Sequence, residues 1–255
     1  MNKKINLWAI TGLTLALAAT TAFAQSRGQG RTGAPGQQRQ DAGASHADAA
    51  AQPQAQPQNV TPQPRPTGPT QFEVRPGGIS RVTFQSDAPL ETIDGVSTDT
   101  QGTITINPNA PATGFAGRVQ VGVATLRTGS DMRDDHLRGG MWLDAGRFPN
   151  ITFELARTNI TQALQPNQEA QGTVTGRFTM HGVTREITVP VRVRYIPLSN
   201  EHAGMGQFGI NADMIRVSGD FAVNLTDYGI SIMAPLRLKV SNTINVRVSL
   251  TAFRR

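Results

Sequence analysis

The sequence predicts an all-β protein: a closed antiparallel sheet of roughly eight to ten strands, exported and free of disulfides. Three observations predict it. Apolar and polar residues alternate with a period of two through most of residues 70–255, the signature of strands with one buried and one solvated face. Turn-forming residues punctuate the alternating runs, as in His181-Gly182, Asp94-Gly95 and Asn107-Pro108-Asn109. The chain contains no cysteine, so core packing and sheet hydrogen bonds must hold the fold.

The N-terminal elements set the compartment. Met1-Asn2-Lys3-Lys4 is basic, residues 5–19 are largely apolar, and Ala22-Phe23-Ala24 places small residues before Gln25. That is the pattern of a signal peptide spanning 1–24, cleaved near Ala24. An uncleaved anchor is the alternative, but the apolar run is shorter than the ~20 residues a membrane helix needs. The mature chain is therefore expected to be periplasmic or secreted, with no transmembrane segment. Residues 25–69 consist mainly of Gln, Pro, Ala, Gly, Arg and Ser, with Val60 the sole branched apolar residue. Such a stretch buries too little surface to offset its ordering entropy and reads as a disordered linker.

From Gln71-Phe72-Glu73-Val74 onward the character changes, and 70–255 reads as one domain. Val119, Val121 and Val123 alternate with Arg118, Gln120 and Gly122. Ile151, Phe153 and Leu155 alternate with Thr152 and Glu154. Val174, Phe178 and Met180 share one parity; Ile187, Val189, Val191, Val193 and Tyr195 share another. Phe221, Val223 and Leu225 follow. The last run keeps one parity from Leu236, Leu238 and Val240 through Ile244, Val246, Val248 and Leu250, broken only at Asn242, where a turn or bulge is expected.

One stretch does not alternate. Residues 129–144 are dense in charge and hold Trp142. Ser130 or Asp131 is placed to cap a short helix through His136 and Arg138. Trp142, Leu143 and Phe148 would pack that helix onto the barrel as a plug.

Charge and motifs exclude several function classes. The domain carries 18 basic and 16 acidic residues, interspersed, which lacks the basic face of a nucleic-acid binder. The histidines 46, 136, 181 and 202 show no metal-ligand spacing, so no metal site is expected. His181 reads as a turn residue and Asp227-Tyr228-Gly229 as a turn with an aromatic anchor. No nucleophile elbow, zinc-protease motif or phosphate loop occurs, and no catalytic residue is assigned.

The non-alternating stretch also carries a resemblance. Met132-Arg133-Asp134-Asp135-His136-Leu137-Arg138, then Trp142-Leu143-Asp144, then Phe148-Pro149-Asn150-Ile151-Thr152-Phe153 resemble the signature of the YceI-like family. Gly176-Arg177-Phe178-Thr179-Met180-His181-Gly182-Val183-Thr184-Arg185 and Asn224-Leu225-Thr226-Asp227-Tyr228-Gly229-Ile230 resemble two further segments of it, in the same order. One departure stands at the first strand: Ile79 precedes Ser80 where the family often has a histidine, so no role of that histidine carries over.

The resemblance implies an eight-stranded antiparallel barrel of lipocalin type that encloses a polyisoprenoid chain, such as a quinone tail or a prenyl carrier lipid. No cofactor other than such a bound lipid or quinone is implied. Phe84, Val121, Val123, Phe153, Phe178, Met180, Val189, Val191, Phe221, Val223 and Val246 are the expected cavity residues. Parity alone does not separate a hollow barrel from a filled one. Arg133, His136, Arg138 and Trp142 are expected either to meet a head group or to fix the plug through the neighbouring acids. The reading is a non-catalytic carrier of a long-chain isoprenoid lipid, open to homodimer formation. An enzyme acting on a lipid or quinone head group and an interaction barrel with a filled core are its competitors.

Overall fold

The computed structural model describes residues 64–77, 79–202 and 205–255. The segments expected as a signal peptide and as most of a linker, residues 1–63, lie outside the described residues.

Ten strands follow one another: β1 (Thr70–Val74), β2 (Arg81–Asp87), β3 (Thr92–Ser97), β4 (Thr100–Ile106), β5 (Ala116–Gly122), β6 (Asn150–Thr158), β7 (Glu169–Met180), β8 (Val183–Ile196), β9 (Met214–Asn224) and β10 (Thr243–Arg254). Among the described residues one α-helix, α1 (Asp131–Arg138), lies between β5 and β6. Strands β4 to β10 pair antiparallel in sequence order, and β1 pairs with both β4 and β10, closing the ring at eight strands. The remaining two strands continue existing ones. β1 and β2 run successively along β10, and β3 and β4 lie beside them, so each pair occupies one position around the barrel.

The sequence explains the break between β1 and β2. Pro76 offers no N–H to a ladder, and Gly77 adopts φ +66°. Ser80, buried at the bend, takes over the lost pairing: its Oγ accepts from Thr251 N at 3.0 Å and donates to Thr251 O at 3.3 Å. The position where a family histidine was absent is thus an exposed Ile79 beside a working Ser80.

β7 and β8 form the longest hairpin, joined by His181-Gly182. Both residues have positive φ, 51° and 75°, as a two-residue turn matched to strand twist requires. A Cβ on Gly182 would fall 2.4 Å from the Phe148 ring, so the site also demands glycine sterically.

Two strand expectations are corrected. Residues 236–240 are not strand: they form a 3₁₀ turn (Ala234–Leu236) and further turns, with Leu236 N bonded to Met233 O and Val240 N to Leu236 O. Pro235 suits the first turn of a helix rather than a central strand. Leu238 is consequently exposed, while Leu236 and Val240 still face inward. Val123 likewise leaves the sheet. β5 ends at Gly122 and Val123 opens a 3₁₀ turn, its N–H bonded to Pro149 O. The break at Asn242 is as expected, for its backbone and side-chain oxygens accept from Leu225 N and Thr226 N just before β10 begins.

The core has two clusters. One, around Phe72, Ile104, Leu164, Tyr195, Ile215 and Ala252, fills the end of the barrel that holds the C-terminal part of β8. The other, around Leu126, Leu143, Met180, Leu225, Tyr228 and Ile230, lies at the opposite end beneath α1. The outer face carries cross-strand ion pairs, including Arg118 and Arg177 with Glu154, and Arg192 and Arg247 with Asp220. These are exposed pairs worth ~0–1 kcal/mol each, and they account for the interspersed charge.

The filled end also holds a buried polar knot. Asp213 accepts from Tyr195 Oη at 2.7 Å and Leu198 N at 2.8 Å, and pairs with Arg254 at 3.3 Å. Burial and the bond to Asp213 push the Tyr195 phenol above its usual value. Residues 64–69, grouped by composition with the linker, pack here. Arg65 lies over the Tyr195 ring at 5.6 Å and donates to Leu164 O and Pro108 O. A composition argument counts apolar side chains and does not register a guanidinium seated on carbonyl groups.

Candidate functional site

The barrel is hollow. A cavity of about 510 Å³ occupies the end beneath α1, and a second of about 120 Å³ lies deeper. The two abut, since Val82, Val121, Ile151 and Phe178 line both. Period two makes this interior. Each strand sends alternate side chains inward, and where those are Val, Ile, Leu and Phe the wall is apolar.

Ten of the eleven expected cavity residues line this space. Phe84, Met180, Val223 and Val246 face the larger cavity; Phe153, Val189, Val191 and Phe221 face the deeper one; Val121 and Phe178 face both. Val123 faces neither, because it is packed into the core under the turn that ends β5. Phe178 marks the junction, its ring edge-to-face with Phe221 at 5.8 Å and with Tyr228 at 5.6 Å.

Gln120 and Thr152 are the polar residues along the deeper cavity, while the charged groups that line the interior gather around the larger cavity's mouth. Its rim comprises α1, the β2–β3 link and the 236–240 turns, which contribute Met132, Arg133, His136, Glu91 and Lys239. On α1 the i, i+4 pairs Met132/His136 and Arg133/Leu137 share the cavity-facing side. Leu236 and Val240 reach the cavity from the facing turn by the same spacing.

The charged residues of α1 divide by role. Arg133 donates to Glu91 Oε1 at 2.5 Å and to Thr128 Oγ1 at 3.1 Å, bridging the helix to the β2–β3 link. Arg138 does not line the cavity; it donates to Leu126 O and lies near Asp134 and Asp135. Asp134 is buried and accepts from both Thr128 N and Oγ1 at 2.7 Å. Burial alone would raise its carboxyl pKa, but these bonds, with Arg138 and Arg127 nearby, hold it below the ordinary value. Ser130 stands before the helix with its side chain making no capping bond, so the order at this corner comes from Asp134 instead. His136 is exposed at the rim, and Trp142 is half-buried against the cavity.

The motifs behind the resemblance meet at this end. His181 Nδ1 lies 3.0 Å from Tyr228 O, Phe148 packs on the His181 ring at 5.0 Å, and Arg185 Nε donates to Asp227 O at 2.7 Å. They brace the 142–149 loop, the β7–β8 turn and the 225–229 turn against one another. Tyr228 is the buried anchor of the last, and burial pushes its phenol above the usual value. Sequence reasoning missed Glu91, in a link without periodicity or motif, and Lys239, which the run read as strand placed opposite its apolar face. Among the described residues no group of three His, Asp or Glu is placed to hold a metal ion, and no helix is long and apolar enough to cross a membrane.

Fold and site together define an eight-stranded antiparallel barrel with a largely apolar interior, its charged lining groups at one helix-covered mouth. The chain belongs to the YceI-like family, whose YceI-like domain matches residues 73–252. A UPF0312 protein of Vibrio campbellii is 30% identical over 115 residues, 45% of this chain and 53% of that protein. The chain thus spans about half the length of that relative. A UPF0312 protein of Pseudomonas savastanoi is 26% identical over 157 residues, covering 62% of this chain and 71% of that one. Among solved structures, the fold matches Burkholderia cenocepacia BcnA with TM-score 0.53 and 19% identity, over 68% of this chain and 96% of that chain. It also matches a polyisoprenoid binding domain from Saccharophagus degradans implicated in plant cell wall breakdown, with TM-score 0.55 and 15% identity, over 73% of this chain and 99% of that chain.

Proposed function

We propose that this protein is an exported carrier of a long-chain amphiphilic lipid, a polyisoprenoid or an isoprenoid quinone, rather than an enzyme. The observation that carries the reading is the largely apolar wall of the two abutting cavities, with charged side chains confined to one mouth. That layout suits a molecule with a long hydrocarbon tail and a single polar end. The likeness to a polyisoprenoid binding domain supports the same ligand class. Tail burial contributes ~0.8 kcal/mol per methylene-sized group. The head group would lie among Arg133, His136, Glu91 and Lys239. Arg133, already paired with Glu91, orients the rim, while His136 and Lys239 are the groups exposed to a ligand.

Native mass spectrometry of protein purified from its own host, followed by lipid extraction, tests the proposal. A stoichiometric isoprenoid adduct is expected. Repeated absence of lipid, together with no uptake of added polyprenols or quinones, would overturn it. The same preparation reports the mature N-terminus, expected at Gln25, and the mass of the assembly, which decides between monomer and homodimer.

A further inference from the structure

Of the large apolar side chains left exposed, Ile79, Met205 and Phe208 lie elsewhere, and the other five gather at the cavity mouth. Leu90, Met132 and Leu238 are 69%, 72% and 52% exposed, and Met141 and Met233 are similarly open. Each sits in or beside one of the three segments that frame the cavity mouth. Leu90 precedes Glu91 on the β2–β3 link, and its N–H donates to Leu238 O at 2.8 Å, so these two segments touch. Met132 stands on α1, which Arg133 ties to the same link through Glu91. Met141 adjoins Trp142, and Met233 opens the turn that carries Leu236 to the cavity. A rim of large apolar side chains in water is unfavourable unless something covers it.

Charge indicates what does. The segment 232–240 bears Arg237 and Lys239 and no acid, both exposed. Among the described residues neither forms an ion pair. Of the acids of α1, Asp134 is buried against Thr128 and Asp135 pairs with Arg138, which leaves Asp131 as the acid of this helix that faces water with no ion pair among the described residues. Exposed leucine and methionine flanked by cations with no ion-pair partner among the described residues is the composition of a surface that enters the headgroup region of an anionic bilayer.

We propose that the cavity mouth docks on an anionic lipid bilayer, with Leu90, Met132 and Leu238 entering the interface and Arg237 and Lys239 meeting lipid phosphates. The inference rests on the carrier reading: a tail passing between membrane and barrel need not cross water if the mouth is sealed against the membrane. The rim then serves as the transfer surface, and the deeper cavity stays remote from it.

Co-sedimentation of the full chain with phosphatidylcholine vesicles, with and without phosphatidylglycerol, tests this. R237Q, at a residue outside the cavity lining, is expected to weaken binding to the anionic vesicles by roughly 5-fold, at about one interfacial charge interaction. L90E/L238E is expected to weaken it by on the order of 100-fold. Wild type and variants share the same N-terminal segment, so a difference between them reports the rim. Each variant is also loaded with solanesol, a polyprenol, and examined by native mass spectrometry. Loading retained with vesicle binding lost supports docking through the rim. Loading without vesicle binding by the wild type, or binding unchanged in L90E/L238E, overturns the docking and leaves the carrier reading standing. Rim-dependent vesicle binding with no solanesol uptake upholds the docking surface and removes the carrier reading.

Discussion

Substituting Phe178 by alanine should have opposite consequences for the empty and the loaded protein. Its ring is buried where the two cavities meet and makes edge-to-face contacts with Phe221 and Tyr228. Removing a buried phenylalanine costs ~3–5 kcal/mol. The two aromatic contacts, each adding ~0.5–1.5 kcal/mol, place this site in the upper part of that range. At ~2–4 °C per kcal/mol for a domain of this size, Tm should fall by roughly 8–20 °C. The same change removes the constriction between the cavities of about 510 and 120 Å³. A longer tail then gains wall contact, and one isoprene unit newly seated contributes on the order of 3–4 kcal/mol. Circular dichroism melts of the lipid-free variant read the first effect. Native mass spectrometry with a mixture of polyprenol lengths reads the second, as a shift toward longer chains. A Tm within ~2 °C of wild type would show that Phe178 is not packed as described. An unchanged length preference would show that the two cavities do not form one track for a single chain.

Other perturbations follow from the same contacts. Asp213→Ala leaves Tyr195 Oη, Leu198 N and the Arg254 guanidinium without their acceptor; the loss should be ~3–5 kcal/mol by urea denaturation, well beyond that of Tyr195→Phe. Gly182→Ala meets both a positive φ and the Phe148 ring, and should destabilise by ~1–3 kcal/mol in the same assay. The stability profile against pH should have two limbs. The Asp134 carboxyl is held below its ordinary value, so its contribution is present above the unfolded pKa and is lost as pH falls through the folded one. Asp134→Asn should flatten that acid limb. Tyr228 is pushed up, so its contribution is intact below the unfolded pKa and is lost as pH rises through the folded one. Tyr228→Phe should flatten the alkaline limb of the melting profile.

Much of the barrel was legible because burial on one face writes itself into the sequence as alternation. β7 and β8 show it along their whole length, and ten of the eleven residues picked on this basis face the interior. The failures have definite causes. Leu236 and Val240 share a face under either a two-residue or a near-four-residue repeat, so only Leu238 distinguishes strand from turn. Its exposure is invisible in an apolar letter. Val123 continued the count of β5 by parity, but Gly122 ends that strand. Arg65 escaped notice because its partners are backbone carbonyls 43 and 99 residues away, and carbonyls have no sequence signature. The rim pair Arg133–Glu91 joins segments 42 residues apart. A charge run shows that ions are present but not which of them are spent on each other.

The shared use of β10 by β1 and β2 makes the barrel wall unequal in strength. Around most of the ring a strand is zipped to its neighbour along its length, as β7 is to β8 from Glu169–Arg194 to Met180–Val183. At the join with β1 the paired run is short, Phe72–Val74 against Ala252–Arg254, extended by Arg255 N–H to Gln71 O and by Ser80 as a side-chain stitch beyond the bend. Local opening is governed by the shortest run of cooperative bonds. Amide protons of this seam should therefore exchange before those of the β7–β8 hairpin. The seam belongs to the filled end, remote from the mouth, where the tip of an over-long tail would press. A container yields where its wall is least stitched, so if the barrel carries a lipid, the base at the short β1–β10 pairing would set the limit on tail length.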